Sequence, residues 1–193
     1  MHIAPKIDYQ KIADAQKYYS AAGFIELAVP WIIDYSAYSV TCPANRREFY
    51  ALGGYMNASG EQSFIQMMLS GAKLGRNFCV TSCYRDEPVL DELHHRYFVK
   101  LELIDTDVSE NNLAAMIRIA QKFFDGYLPQ EFPAKVVKTN EVERSFDIVD
   151  GFSGIELGSY GIRRHKEFSW IYGTGIALPR LDTVLQKMEA RHV

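Results

Sequence analysis

Apolar positions along the chain switch between a helical and an alternating rhythm, and the switches mark out the elements. Over residues 7–22, Ile7, Ile12, Ala15, Tyr19 and Ala22 fall roughly on one helical face, and Gly23 stands where a helix stops. Residues 24–29 alternate as a short strand does, and Pro30, which has no N–H to give a ladder, ends it. Residues 63–74 predict a second helix closed by Gly75. Residues 78–84 are apolar and β-prone, and 97–106 form another strand candidate rich in Val, Leu and Ile. The clearest later helix covers 111–127, with Leu113, Met116, Ile117, Ile119 and Ala120 supplying apolar positions. Strands follow at 136–138, 145–149 and 155–158, and a C-terminal helix at 181–190. Strand-rich segments with helices before, between and after them predict a single α+β domain over 1–193, built on an antiparallel sheet.

Composition narrows the setting. The chain has 193 residues, 48% hydrophobic and 23% charged, enough to bury one core. No apolar run approaches the roughly 20 residues of a membrane helix. Residues 1–6 carry no apolar stretch behind a basic start, so the expectation is a cytoplasmic protein that is not exported. Cys42, Cys79 and Cys83 make no even framework and no second pair for zinc, which points to reduced thiols. Formal net charge is −3, against the basic excess of a protein built to grip a polyanion, although Arg163, Arg164, His165 and Lys166 cluster locally.

Three segments carry candidate chemistry. Gly23-Phe24-Ile25-Glu26-Leu27-Ala28-Val29-Pro30 follows a long helix and is by itself ordinary structure. Cys83-Tyr84-Arg85-Asp86-Glu87, a polar loop with His94, His95 and Arg96, and Tyr97-Phe98-Val99-Lys100-Leu101-Glu102 together read as a hairpin. It offers a fixed guanidinium, cations in its loop and an aromatic face, the parts needed to hold a nucleoside triphosphate. The same residues also suit a charged surface hairpin. Gly173-Thr174-Gly175-Ile176-Ala177-Leu178-Pro179-Arg180 lacks the dinucleotide-binding spacing. Its glycines allow close backbone packing, and Arg180 falls in the first turn of a helix, where a cation opposes the dipole.

In this order the segments resemble motifs 1, 2 and 3 of class II aminoacyl-tRNA synthetases. Pro30 matches the proline that ends motif 1. Tyr84-Arg85-Asp86-Glu87, with Phe98 and Glu102, matches the F-R-x-E, loop, F-x-x-x-E form of motif 2, and Arg180 matches the arginine of motif 3. Asn57-Ala58-Ser59-Gly60-Glu61 looks like an amino-acid-binding loop of the aspartate, asparagine and lysine subgroup. Phe146-Asp147-Ile148-Val149-Asp150-Gly151 and Gly154-Ile155-Glu156-Leu157-Gly158-Ser159-Tyr160-Gly161-Ile162-Arg163 resemble its late strand and turn. The second of these is also similar to ammonia-dependent asparagine synthetase.

The resemblance implies a class II antiparallel sheet flanked by helices, a homodimer, and an ATP-dependent ligase that joins ATP and an amino acid as an acyl-adenylate. ATP and magnesium (Mg2+) are the implied cofactors. Arg85 would bind the α-phosphate and the attacking carboxylate, and Glu87 would orient the adenine or the amino acid. Phe98 and Arg180 would cover the two faces of the adenine, with Arg180 also reaching the γ-phosphate. His95 or Arg96 would meet that phosphate from the loop. Glu156, with Asp147, would hold magnesium. Glu61 would receive the α-ammonium and Arg163 a side-chain carboxylate, which favours an aspartate-like substrate. The acceptor could be a tRNA end, a carrier protein, ammonia or a small amine. The other reading is a non-catalytic paralogue that binds an amino acid or nucleotide and regulates a partner. The chain departs from the subgroup in having only six residues ahead of the first helix, so no anticodon-binding domain is expected. It departs also in Ala177-Leu178-Pro179, and in a spacing from Asp147 to Glu156 that is longer than in aspartate enzymes.

Overall fold

Asp8 starts the first helix. Its carboxylate accepts from the backbone N–H groups of Gln10 (3.0 Å) and Lys11 (3.4 Å), donors that a helix start leaves orphaned. This helix, α1 (Tyr9–Ala21), buries Ile12, Ala15 and Tyr19. Gly23 follows it at φ +88°, a left-handed conformation that costs glycine little. The computed structural model describes residues 6–42, 47–140, 142 and 144–190.

The strand expected at 24–29 shortens to β1 (Ile25–Glu26), which runs parallel to a central strand, β5 (Arg76–Tyr84). Between them lies structure that the pattern does not announce. A small sheet has the order β2 (Ile32–Ile33), β4 (Gly54–Met56), β3 (Tyr50–Ala51), and a single turn, α2 (Tyr35–Tyr38), packs on it. Strands of two or three residues are too short to establish a period. Helix α3 (Gly60–Leu69) starts earlier than expected, and Gly71 at φ +88°, not Gly75, follows its end.

The main sheet continues with β6 (Tyr97–Asp105), α4 (Glu110–Asp125), β7 (Lys135–Thr139), β8 (Ser145–Val149), β9 (Glu156–His165), β10 (Phe168–Leu178) and α5 (Arg180–Glu189). Its order is β1-β5-β6-β10-β9-β8-β7. Apart from the β1–β5 pair, every neighbouring pair is antiparallel. The glycine segment leads into α5 as expected, and its glycines lie in the second half of β10, where both serve packing. A Cβ on Gly175 would lie 2.5 Å from Leu101 Cδ2 and 2.8 Å from the Tyr19 ring. The register against β6 shifts between Thr174 and Ile176, and Tyr19 Oη donates to the Gly175 carbonyl at 2.9 Å. Gly175 thus lets α1 seat directly on the sheet.

Helices α1, α4 and α5 cover one face of this sheet, with Ile12, Leu101, Met116, Phe124, Ile176 and Val184 in the shared core. On the other face α2 and α3 pack Ala37, Phe64, Ile65 and Met68 against Cys79, Ile104, Trp170 and Tyr172. These two helices cover only part of that face, and the rest opens as a cleft. Cys79 and Cys83 are buried free thiols, and burial pushes Cys83 up to about 12, which keeps it protonated. Among the described residues no helix is long and apolar enough to cross a membrane.

Candidate active site

Strand alternation builds the cleft floor. The β5–β6 register sets Thr81 opposite Lys100 and Cys83 opposite Phe98, so Phe98, Lys100 and Glu102 share one face of β6. From the next strands Tyr172 and Thr174 of β10 and Ser159 and Arg163 of β9 face the same space. Glu61 enters from the first turn of α3 and Arg180 from the start of α5. The cleft takes in about 1030 Å³ of space, part of it open solvent.

Arg85 follows the end of β5, and its backbone N–H donates to the Arg96 carbonyl at 2.9 Å. Its Nε donates to the Ala58 carbonyl at 2.9 Å, and its guanidinium lies over the Phe98 ring, 5.1 Å from the centroid. Two fixed contacts thus hold the side chain, and among the described residues it enters no ion pair. A positioned cation of this kind is matched to an anionic ligand. Arg180 donates from Nη1 to Glu156 Oε1 at 2.8 Å across the same cleft. That carboxylate compensates the unfavourable placement of a cation at the N-terminal end of α5.

A buried group closes the far end. Arg163 donates from Nη1 to Glu61 Oε2, Trp170 Nε1 donates to Glu61 Oε1 at 2.7 Å, and the guanidinium of Arg163 stacks 4.1 Å from the Tyr172 centroid. Glu61 is 4% exposed; burial raises its pKa, and Arg163 and Trp170 pull it back down. The two residues that the resemblance assigns to different parts of a substrate therefore contact each other. Arg163 still keeps most of its five N–H donors for a ligand.

Between these ends, Lys100 Nζ donates to Glu102 Oε1 at 2.8 Å, and Glu102 Oε2 accepts from the Gly60 N–H at 3.3 Å. A Cβ on Gly60 would come within 2.7 Å of Cys79 Sγ and 2.9 Å of Glu102 Cβ, so glycine is what lets α3 approach the floor.

The hairpin loop leans on α5. Thr183 Oγ1 donates to the Glu92 carbonyl at 3.1 Å, and Lys187 pairs with the Glu92 carboxylate. His95 Nε2 lies 3.2 Å from that same carbonyl, and His94 pairs with Asp91. Of the expected site residues, Arg85, Glu87, His95, Phe98, Glu156, Arg180, Glu61 and Arg163 line the cleft, whereas Arg96 and Asp147 are not among its lining residues. Asp147 stands opposite Ser159 in the β8–β9 register, on the cleft side but one strand further out. Lys100, Trp170 and Tyr172 are additions. Lys100 was findable, because strand alternation places it between Phe98 and Glu102, whereas nothing local marks Trp170 or Tyr172.

Among the described residues no three His, Cys, Asp or Glu side chains gather to hold a metal ion. Magnesium commonly binds through one or two carboxylates together with substrate phosphates. The cleft-facing Glu156 carboxylate, with Asp147 one strand away, fits a cation that arrives with phosphate better than a resident one.

No curated protein sequence matches the chain. Among solved structures it superposes on PylSc, a pyrrolysyl tRNA synthetase of Desulfitobacterium hafniense, with a TM-score of 0.71 and 18% identity, over 93% of this chain and 69% of that one. It also superposes on a cytoplasmic serine-tRNA ligase of Naegleria fowleri in complex with AMP, with a TM-score of 0.68 and 16% identity, over 89% of this chain and 46% of that one. At these identities the likeness speaks for the fold. The family model for class II tRNA synthetases (D, K and N) matches residues 5–150, from α1 through the hairpin to the end of β8. With most of its length matched and the sheet of the solved synthetases reproduced, the chain belongs to the class II tRNA synthetase (D, K and N) family.

Proposed function

We propose that this protein activates an aspartate-like amino acid with ATP, forming an acyl-adenylate and pyrophosphate, and then passes the acyl group to an acceptor. The observation that carries the reading is that Arg85 and Arg180, distant in sequence, line one cleft with Phe98 of β6, the strand between β5, which Arg85 follows, and β10, which leads to Arg180. A bent triphosphate suits that spacing, with the α-phosphate at Arg85, the adenine on Phe98, and Arg180 over the adenine and toward the γ-phosphate. His95, which lines the cleft, serves the γ-phosphate from the loop in preference to Arg96, and Glu87 orients the adenine or the amino acid from the hairpin base. The serine-tRNA ligase that shares the fold was solved with AMP, which supports a nucleotide as a ligand of this fold.

In the reaction a substrate carboxylate oxygen attacks the α-phosphorus. The bond from that phosphorus to the bridging oxygen of the β-phosphate breaks, and pyrophosphate leaves with the electron pair. No side chain acts as nucleophile. Arg85 neutralises charge building on the α-phosphoryl oxygens, and the cleft supplies alignment. Magnesium, held by Glu156 with Asp147, would offset the charge of the leaving pyrophosphate. Arg163, oriented by Glu61 and Tyr172, receives the side-chain carboxylate, and the negative field of Glu61 favours the α-ammonium nearby. A tRNA end, a carrier protein, ammonia or a small amine would then attack the acyl carbon and release AMP.

The test is ATP–pyrophosphate exchange, run with magnesium and each amino acid in turn. Exchange with aspartate or a close analogue is the expected result. Silence with every amino acid alongside measurable ligand binding would replace this reading with the non-catalytic one. The same family architecture implies a two-fold dimer through α1 and β1, where Tyr9 and Ile25 are 70% and 67% exposed. Sedimentation at micromolar concentration should give twice the 22.0 kDa chain mass, and a monomer would count against that assembly.

A further inference from the structure

The loop between β5 and β6 is held against α5 by contacts that the function proposed above does not use. Asp91 folds the loop first. Its Oδ1 accepts from the backbone N–H groups of Leu93 and His94, both at 2.8 Å, and the Asp91 N–H donates to the His94 carbonyl at 3.2 Å. The Leu93 N–H and the His94 ring hold the Asp91 carboxyl down at about 2, so the turn keeps its acceptor near neutral pH. Glu92, inside this turn, meets α5 with both of its ends. Its carbonyl accepts from Thr183 Oγ1 at 3.1 Å, and its carboxylate pairs with Lys187. Leu93, His94 and His95, the next three residues, line the cleft.

On the helix side the contacts share one face. Arg180, Thr183 and Lys187 are spaced i, i+3, i+7, which stacks them along a single stripe of α5. One end of the stripe enters the cleft as Arg180, paired there with Glu156, and the rest carries the loop. Thr183 is buried, so packing fixes the place of its hydroxyl. We propose that Glu92 is a positioning residue: it latches the hairpin loop to α5, so that the loop closes over the outer phosphates of a nucleotide in a fixed relation to Arg180. The inference rests on the nucleotide position proposed above and names what keeps its phosphate end in register. Neither contact is strong by itself, since a hydroxyl–carbonyl bond and a solvent-exposed ion pair are each worth little. Together they remove freedom from a loop that would otherwise have to be ordered when the ligand arrives.

ATP and AMP serve as probes, with binding followed by calorimetry in the presence of magnesium and without amino acid. Thr183→Val/Lys187→Met removes both contacts from the α5 side and leaves every cleft-lining residue in place. It should weaken ATP binding about 5- to 30-fold, the scale of one neutral hydrogen bond plus one exposed ion pair. AMP, which lacks the outer phosphates, should bind as it does to the wild-type protein. In exchange the KM for ATP should rise by the same factor, with kcat and the KM for aspartate little changed. Thr183→Ser keeps the hydroxyl and should bind ATP normally. Glu92→Lys/Lys187→Glu should recover ATP affinity relative to Lys187→Glu alone, which a merely structural role for Lys187 would not produce. If Thr183→Val/Lys187→Met fails to fold, Glu92→Gln and Lys187→Met, both away from the core, carry the same comparison of ATP with AMP. An equal loss of ATP and AMP affinity, or no loss of either, overturns the latch. Wild-type protein that binds ATP yet catalyses no exchange overturns the activation reading and not the latch, which is read from binding. Wild-type protein that binds no ATP overturns both.

Discussion

Replacing Arg85 with alanine should lower the exchange rate about 100- to 1,000-fold, the usual cost of removing one preorganised donor from a developing oxyanion. The fold should barely register the change. What is lost structurally is one hydrogen bond, from Nε to the Ala58 carbonyl, and one cation–π contact with Phe98. Together these are worth about 1–2 kcal/mol at a half-buried position. A variant with near-native thermal stability and no exchange is therefore the expected outcome, read by calorimetry beside the exchange assay. Arg85→Lys should rescue little, because a lysine cannot hold the Ala58 carbonyl with a fixed Nε, stack flat on Phe98 and still present a fork of donors to phosphate. Substantial exchange by Arg85→Ala would remove Arg85 from the chemistry.

The Arg163→Ala variant should fail differently, losing stability and selectivity together. Breaking a buried ion pair from one side typically costs about 3–5 kcal/mol. The Arg163 side chain is 25% exposed and Trp170 still donates to Glu61, so about 2–4 kcal/mol is the expected cost here. In a chain of this size that lowers the melting temperature by roughly 5–15 °C. The sign of the pH dependence follows from Glu61, whose folded pKa already lies above the ordinary 4.5 because it is buried. A carboxyl with a raised folded pKa contributes stability that is full below the unfolded value and lost as pH rises through the folded value. Without Arg163 that folded value climbs further. The deficit relative to wild type should thus be small in acid and grow as the pH is raised toward neutral. Arg163→Ala/Glu61→Gln should regain much of the stability, having no buried charge, yet should not regain the preference for a second carboxylate. Thermal melts across pH and competition between aspartate and alanine separate the two effects.

How far the sequence disclosed this arrangement depended on element length. The helix at 7–22 was legible because its period repeats enough times to be recognised, and the strands at 78–84 and 97–106 because they are long apolar, β-prone runs; Gly23 closed the helix as its position foretold. Strands β2, β3 and β4 were invisible, since two or three residues show no alternation. The segment ending at Arg180 was legible as close backbone packing ahead of a helix, and in the sheet its glycines are contact points: Gly173 approaches Met116 and Tyr160, and Gly175 approaches Leu101 and Tyr19. Only the tertiary packing of α1 and α4 explains them. In the site, motif spacing located Arg85, Phe98, Glu156 and Arg180 in one cleft, because the motif order dictates which strands become neighbours. What spacing could not disclose was pairing. That Glu61 and Arg163 contact each other depends on the start of α3 packing on β5 and β6, from where Glu61 reaches Arg163 of β9, a relation between elements far apart in the chain.

The most direct test of the account is a crystal structure of the protein with magnesium and a non-hydrolysable ATP analogue. It should show one bent triphosphate, its α-phosphate on the Arg85 guanidinium and its γ-phosphate reached by Arg180, with the adenine against Phe98. A nucleotide bound elsewhere, or one contacting only one of the two arginines, would contradict it.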